Sequence, residues 1–204
     1  MRRELHVRFC EGGGVKLPSA TRLVVLCRTR AQADEALRRV REILAGMGLE
    51  LHPEKTRVVE LGLGRDGFVF LGCHLRVMRS HFKGRTYLFR WPSAKAMQRV
   101  RGRIRELTNR RRRAGMKDIR EVIRDLNPVL RGWGNYFRTG NASLKFRQVD
   151  LYVNQRLARL MYRGRRDRPR PFANWEWPPA RFAKEFGLHR LVGTIRYPGS
   201  AHAA

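Results

Sequence analysis

The sequence predicts an α+β fold: a short antiparallel sheet with one helix, then a three-helix bundle and a short irregular C-terminal tail. Two observations predict it. Apolar residues come in short β-branched or alternating runs up to about residue 92, and from Ser93 onward they recur at helical spacing. Charge follows the same division. The formal net charge is +28, and residues 76–170 hold 28 Lys/Arg against 6 Asp/Glu. Four segments follow from these patterns: an irregular opening (1–22), a sheet-and-helix region (23–92), a helical bundle (93–163) and a basic linker with a tail (164–204).

The opening, MRRELHVRFCEGGGV, ends in a glycine run and shows no clear period. LVVLC (23–27) is an apolar run suited to a buried strand. Thr29 and Gln32 then form a capping-box pattern, and a helix is expected beyond them. Its packed face is Ala33, Ala36, Leu37, Val40, Ile43, Leu44 and Met47, and Gly48 is placed to end it. Asp34, Glu35, Arg38, Arg39, Arg41 and Glu42 lie on the opposite face. GLELHPEKTRVVEL gives two short extended pieces about Pro53, which stops any helix there. GFVFLGCHLRV and RTYLFRW read as a further strand pair joined by MRSHFKG.

Three bundle helices follow. Met97, Val100, Ile104 and Leu107 mark the first. Ile119, Val122, Ile123, Leu126, Val129 and Leu130 mark the second, with a bend expected at Asn127-Pro128, and Phe146, Val149, Val153, Leu157 and Leu160 mark the third. Ser93 and Ser143 are placed as helix caps. The tail holds Trp175, Trp177, Phe182 and Phe186 without a long period.

Composition excludes several functions. Cys10, Cys27 and Cys73 are isolated and form no CxxC pair, so neither structural zinc nor a disulfide framework is supported, and the setting is expected to be reducing. The six histidines have no ligand spacing, and no serine has a His/Asp setting. No cofactor and no metal are assigned. No spanning run or anchor points to a membrane. A basic stretch of this density repels itself unless a polyanion neutralises it, and nucleic acid is the leading partner. Arginine suits that partner because its planar donor fork pairs bidentately with phosphate. Arg99, Arg103 and Arg110 lie near one sector of the first bundle helix, with Lys95 and Arg113 on adjoining ones. In RGWGNYFR, Trp133 and Phe137 suit packing, Gly132 and Gly134 suit close backbone approach or a helix end, and Asn135 and Tyr136, flanked by Arg131 and Arg138, suit contact with RNA.

In order along the chain, LVVLCRT (23–29), GLELHPEKT (48–56), FVFLG (68–72), LNPVLRGWGNYFRTGNA (126–142), VDLYVNQRLAR (149–159) and LVGTIRYPG (191–199) resemble segments of group II intron-encoded reverse transcriptase–maturases. The resemblance spans about residues 23–199. It implies a partial reverse-transcriptase palm followed by a thumb, or maturase domain X, and then part of a DNA-binding-like tail. It also implies a protein that helps intron RNA fold and splice. By resemblance Lys55 contacts phosphate, and Phe70, Leu71 and Gly72 form a primer-grip-like hairpin whose default role here is sheet packing. The RNA-binding set is completed by Arg111 and Arg112 beside the residues named above.

The chain departs from the family at the polymerase site. The family's fingers and upper palm lie N-terminal of its match, so an N-terminally truncated member is expected. An ungapped alignment puts Thr21 and Arg22 on the paired catalytic aspartates. A gapped one leaves a single remnant acid, Glu11. On either, no adjacent aspartate pair survives, and no catalytic residue is assigned. Two-metal nucleotidyl transfer needs hard oxygen ligands holding Mg²⁺ ions about 3.5–4 Å apart. An arginine about 4 Å from Mg²⁺ is repelled by roughly 8 kcal/mol at an effective dielectric near 20. Mg²⁺ is expected only in an intact family member. The expected function is RNA binding without polymerisation, in a bacterial cytoplasm, with structured group II intron RNA as partner. DNA, and a separate chain carrying fingers and upper palm, are further partners this reading admits. The rival readings are one part of a split RNA-directed DNA polymerase and a decayed or generic basic nucleic-acid-binding module.

Overall fold

The computed structural model describes residues 4–9, 23–53, 56–80, 84–109, 118–161 and 179–197. Two compact units divide the chain, residues 1–89 and 90–204. Helices and antiparallel sheets together make an α+β protein.

The first unit holds β1 (Glu4–Phe9), β2 (Leu23–Cys27), α1 (Arg30–Gly46), β3 (Arg57–Leu61), β4 (Phe68–Phe70) and β5 (Cys73–Arg79), and most of β6 (Thr86–Pro92). β1 corrects the reading of residues 1–22 as irregular. It is the central strand of a β2-β1-β3 sheet, antiparallel to both neighbours, with Val7 opposite Val25 and Val58. ELHVRF does alternate apolar and polar residues, but six residues beside a glycine run give too short a pattern to stand out. α1 packs Ala33, Ala36, Leu37 and Val40 against Cys27, Val25, Leu51 and Val58. Thr29 caps it: its Oγ1 accepts from Gln32 N at 3.2 Å, while Gln32 Oε1 accepts from Arg28 N at 2.9 Å. Ile43 and Met47, expected on the packed face, are 63% and 60% exposed. Seventeen helical residues reach about 25 Å, whereas five-residue strands reach about 17 Å, so the last turns outrun the sheet.

The segment 67–77, read as one strand, is a hairpin. β4 turns back into β5 through Leu71-Gly72, with Phe70 opposite Cys73. Both turn residues have positive φ, 45° and 75°, as a two-residue hairpin turn matching the strand twist requires. β6 completes a β4-β5-β6 sheet.

The second unit begins at Arg90 and contains α2 (Ala94–Leu107), α3 (Ile119–Phe137), α4 (Ser143–Met161) and α5 (Pro179–Phe186). Its core interleaves Met97, Val100 and Ile104 with Val122, Ile123, Leu126 and Leu130, and with Phe146, Val149, Val153 and Leu157. These are mostly the residues the periodicity selects. Ser93 Oγ accepts from Ala96 N at 3.2 Å and caps α2. Ser143, expected as a cap, is the first residue of α4, and the first-turn bond runs from Phe146 N to Ala142 O at 2.8 Å. α3 continues through Pro128 as one helix. The C-terminal end of α2 is closed by Arg156, which donates to Thr108 Oγ1 at 2.8 Å and Thr108 O at 3.1 Å.

One piece of the tail read as irregular, residues 179–186, is helical. α5 contacts α3 and α4 and buries Phe182 completely, and Leu188 and Leu191 of the strap that follows are buried as well. Side chains of the bundle hold that strap by its backbone. Asn127 donates to Gly187 O at 2.9 Å and accepts from His189 N at 2.8 Å. Asp150 accepts from Leu191 N at 3.0 Å and from Val192 N at 3.0 Å. Leu191 lies over Gly134, where an added Cβ would come within 2.6 Å of its Cδ2. Gly134 thus provides the close approach expected of the RGWGNYF segment, whereas Gly132 has open space.

Candidate nucleic-acid interface

Not every cation of the bundle faces outward. Arg101 is turned over the Tyr152 ring, 5.9 Å from its centroid, and Arg156 is spent on Thr108. Arg103 pairs with Glu106 at 2.9 Å. Arg120 lies 5.8 Å from the Phe186 ring and 3.8 Å from Asp118. Lys95, Arg99 and Arg105 on α2, and Arg124 and Arg131 on α3, are exposed. None of these five has a carboxylate within ion-pair distance among the described residues.

On α2, Lys95 and Arg99 lie one turn apart on the outer face, with Arg103 beside them, as the spacing predicts. On α3 the basic face is longer than sequence reading gave. Arg124, Arg131 and Arg138 recur every seven residues, about 10.5 Å apart along the axis, with Asn135 beside them. Arg124 was missed, although the seven-residue interval was there to be read. Tyr136 is 53% exposed but lies about 100° round the helix from Asn135, edge-on to Phe137 with centroids 4.8 Å apart. Trp133 and Phe137 are packed, their ring centroids 4.9 Å apart, and Trp133 also meets Phe146 at 5.5 Å.

Helix α1 is the contrast. Its outer face is also rich in arginine, but Arg30 pairs with Asp34, Arg38 with Glu35 and Glu42, and Arg39 with Glu35. Hydrogen bonds from Arg38 and then Arg39 hold the Glu35 carboxyl down at about 2. Three of the four arginines of α1 are thus paired within the helix, whereas Lys95, Arg99 and Arg105 on α2 and Arg124 and Arg131 on α3 have no such partner among the described residues. At the strap, burial pushes the Asp150 carboxyl above its ordinary range against the pull of the Val192 and Leu191 amides. Burial, with Arg131 nearby, pushes the His189 imidazole below its own.

Phe70 is half-buried in β4, and Leu71 and Gly72 form the tip of the β4–β5 hairpin, Leu71 being 50% exposed. Sheet packing therefore describes Phe70 and not the two turn residues. Glu11, Thr21, Arg22, Lys55, Arg110, Arg111, Arg112 and Arg113, together with Trp175 and Trp177, lie outside the described residues. No helix among the described residues is long and apolar enough to cross a membrane.

The second unit is thus a small helical bundle that presents, among its described residues, outward cations without carboxylate partners on α2 and α3, the kind of surface that suits a polyanion. Residues 97–176 match the family model for the group II intron, maturase-specific domain. The chain therefore carries a maturase-specific domain, and the match supports its assignment to the C-terminal portion of a group II intron maturase. No curated protein matches the chain.

Proposed function

We propose that this chain binds group II intron RNA through the outer faces of α2 and α3, and that it assists folding and splicing of that RNA without polymerising by itself. The observation that carries the reading is the row Arg124, Arg131 and Arg138, which lies within the matched maturase-specific stretch and has no carboxylate partners among the described residues. In this reading the bundle is the thumb, or domain X, the β2-β1-β3 sheet with α1 is the remnant of a palm, and the protein works in the cytoplasm of a bacterium. Arginines spaced along one helix face track phosphates, and the RNA supplies the splicing chemistry.

The lack of polymerisation rests on the residues around the β1–β2 hairpin. Phe9 pairs with Leu23, and residues 10–22 between them are the stretch in which the family resemblance leads one to expect two aspartates. The sequence there offers one acid, Glu11, and Arg22 immediately before β2. A metal pair does not fit that donor set. A second reading, one part of a split polymerase, is favoured by the β1–β2 and β4–β5 hairpins, which keep the two strand pairs that the family resemblance leads one to expect. Mixing with a chain that carries fingers and upper palm would then give template-dependent DNA synthesis.

The deciding measurement is binding of the whole chain to a folded group II intron RNA and to an unstructured RNA of equal length, across a salt series. The folded intron should bind tighter. Replacing both Arg124 and Arg131 by Ala should lower the slope of log affinity against log salt by about 1.4–1.8, two phosphate contacts' worth. Equal affinity for both RNAs would leave only a generic basic module.

A further inference from the structure

A recess opens between the first turn of α4 and the strap. Ser143, Phe146, Val192, Gly193, Ile195 and Tyr197 line it, and its volume is about 240 Å³. Its walls are mainly aliphatic and aromatic. The strap side is firmly held: Asp150 takes the Leu191 and Val192 amides, Thr194 Oγ1 donates to Leu191 O at 2.7 Å, and Arg196 N donates to Arg138 O at 2.8 Å. Val192 and Tyr197 stay 45% and 51% exposed.

The surroundings of this apolar recess are cationic. The Arg196–Arg138 backbone bond puts these two arginines side by side where α3 ends. Arg90 joins the same turn, because its guanidinium donates to Thr139 Oγ1 and its carbonyl accepts from Asn141 N at 2.6 Å. Among the described residues none of the three arginines has a carboxylate within ion-pair distance. A small apolar slot with an aromatic wall, flanked in the chain by Arg196 and through the Arg196–Arg138 backbone bond by Arg138, neither with a carboxylate partner among the described residues, is complementary to one nucleotide: a flat base with phosphates on either side. Bases of a duplex are stacked and cannot enter, whereas bulged or looped bases can be splayed out onto aromatic side chains.

We propose that this recess takes one unpaired nucleobase of an RNA, with the flanking phosphates on Arg138 and Arg196. The site rests on the RNA-binding reading above and adds a preference that the helix faces do not supply. Phosphate contacts position an RNA without distinguishing paired from unpaired regions.

The test uses the whole chain and two RNA hairpins, one fully paired and one identical except for a single bulged 2-aminopurine. Wild type should bind the bulged hairpin about tenfold tighter, in line with what stacking one base on an aromatic side chain contributes. Stacking on Tyr197 should also quench the 2-aminopurine. Tyr197→Ala should bring the bulged hairpin down to the paired one and leave the paired one unchanged, while Tyr197→Phe keeps the preference. Val192→Trp, which fills the slot from an exposed position, should do the same as Tyr197→Ala, and thermal melts of each variant verify that the bundle is folded. Equal binding of both hairpins by wild type overturns the recess and leaves the helix faces standing. So does an equal loss on both hairpins in the variants. Binding to neither hairpin removes the RNA reading together with the recess.

Discussion

Asp150 and His189 sit on one seam between bundle and strap, and burial pushes their titrations in opposite directions. The depressed imidazole means that the folded state resists protonation. Its contribution to stability is present above the unfolded value of about 6.5 and is lost as pH falls through the lower folded value. The raised carboxyl works the other way. Its contribution is present below the unfolded carboxyl range and lost as pH rises through the folded value, so acidification restores it. The loss carried by the histidine begins as pH falls below its unfolded value of about 6.5. The thermal midpoint of the bundle should therefore fall on acidification from pH 7, and His189→Gln should flatten that fall. Superimposable pH profiles of wild type and variant would dismiss the coupling. Neither residue announces itself in the sequence. Asp150 reads as a polar residue among the apolar positions of α4, and Asn127 as the partner of a helix-bending proline. Their partners are backbone groups some 40 to 60 residues away, and such caps have no period. Gly134 was legible as a point of close approach, although not what approaches it.

At the scale of elements, the long helices were readable because a 3.6-residue stripe over 14 to 19 residues repeats often enough to be unmistakable. Short pieces were not. α5 has eight residues, β1 six, and the β4–β5 turn carries leucine where Asn or Gly would have advertised it. That leucine gives a prediction. Leu71 holds φ at 45°, in the left-handed region that costs an L-residue about 1 kcal/mol and that Asn tolerates better. Leu71→Asn makes the turn Asn-Gly and removes an exposed apolar side chain, so the first unit should gain about 0.5–1 kcal/mol in urea unfolding. A destabilised variant would mean that the leucine side chain is used, a direct sign that this tip has a packing or binding role outweighing its strain.

On the scale of the molecule, the two units share the excess charge unequally. Residues 90–204 carry 28 Lys/Arg against 8 Asp/Glu, and residues 1–89 carry 17 against 9. The asymmetry was plain in the sequence, but its pairing was not. Whether an arginine meets a carboxylate one turn away depends on rotamers, and only the structure separates the paired Arg30, Arg38 and Arg39 of α1 from Arg99, Arg105, Arg124 and Arg131, which have no such partner among the described residues. An excess of 20 positive charges within 115 residues is self-repulsive, and salt screens that repulsion over a Debye length of about 10 Å at 0.1 M. Added salt should therefore raise the thermal midpoint of the second unit while it weakens RNA binding. RNA in hundredfold excess over its dissociation constant should stabilise the fold by about 2.7 kcal/mol, and that gain should shrink as salt rises. Melts run with and without RNA across one salt series read both responses. Two curves that converge at high salt fit a bundle whose basic faces are kept for a polyanion. A midpoint that falls with salt in the absence of RNA would mean that internal ion pairs, and not repulsion, dominate its electrostatics.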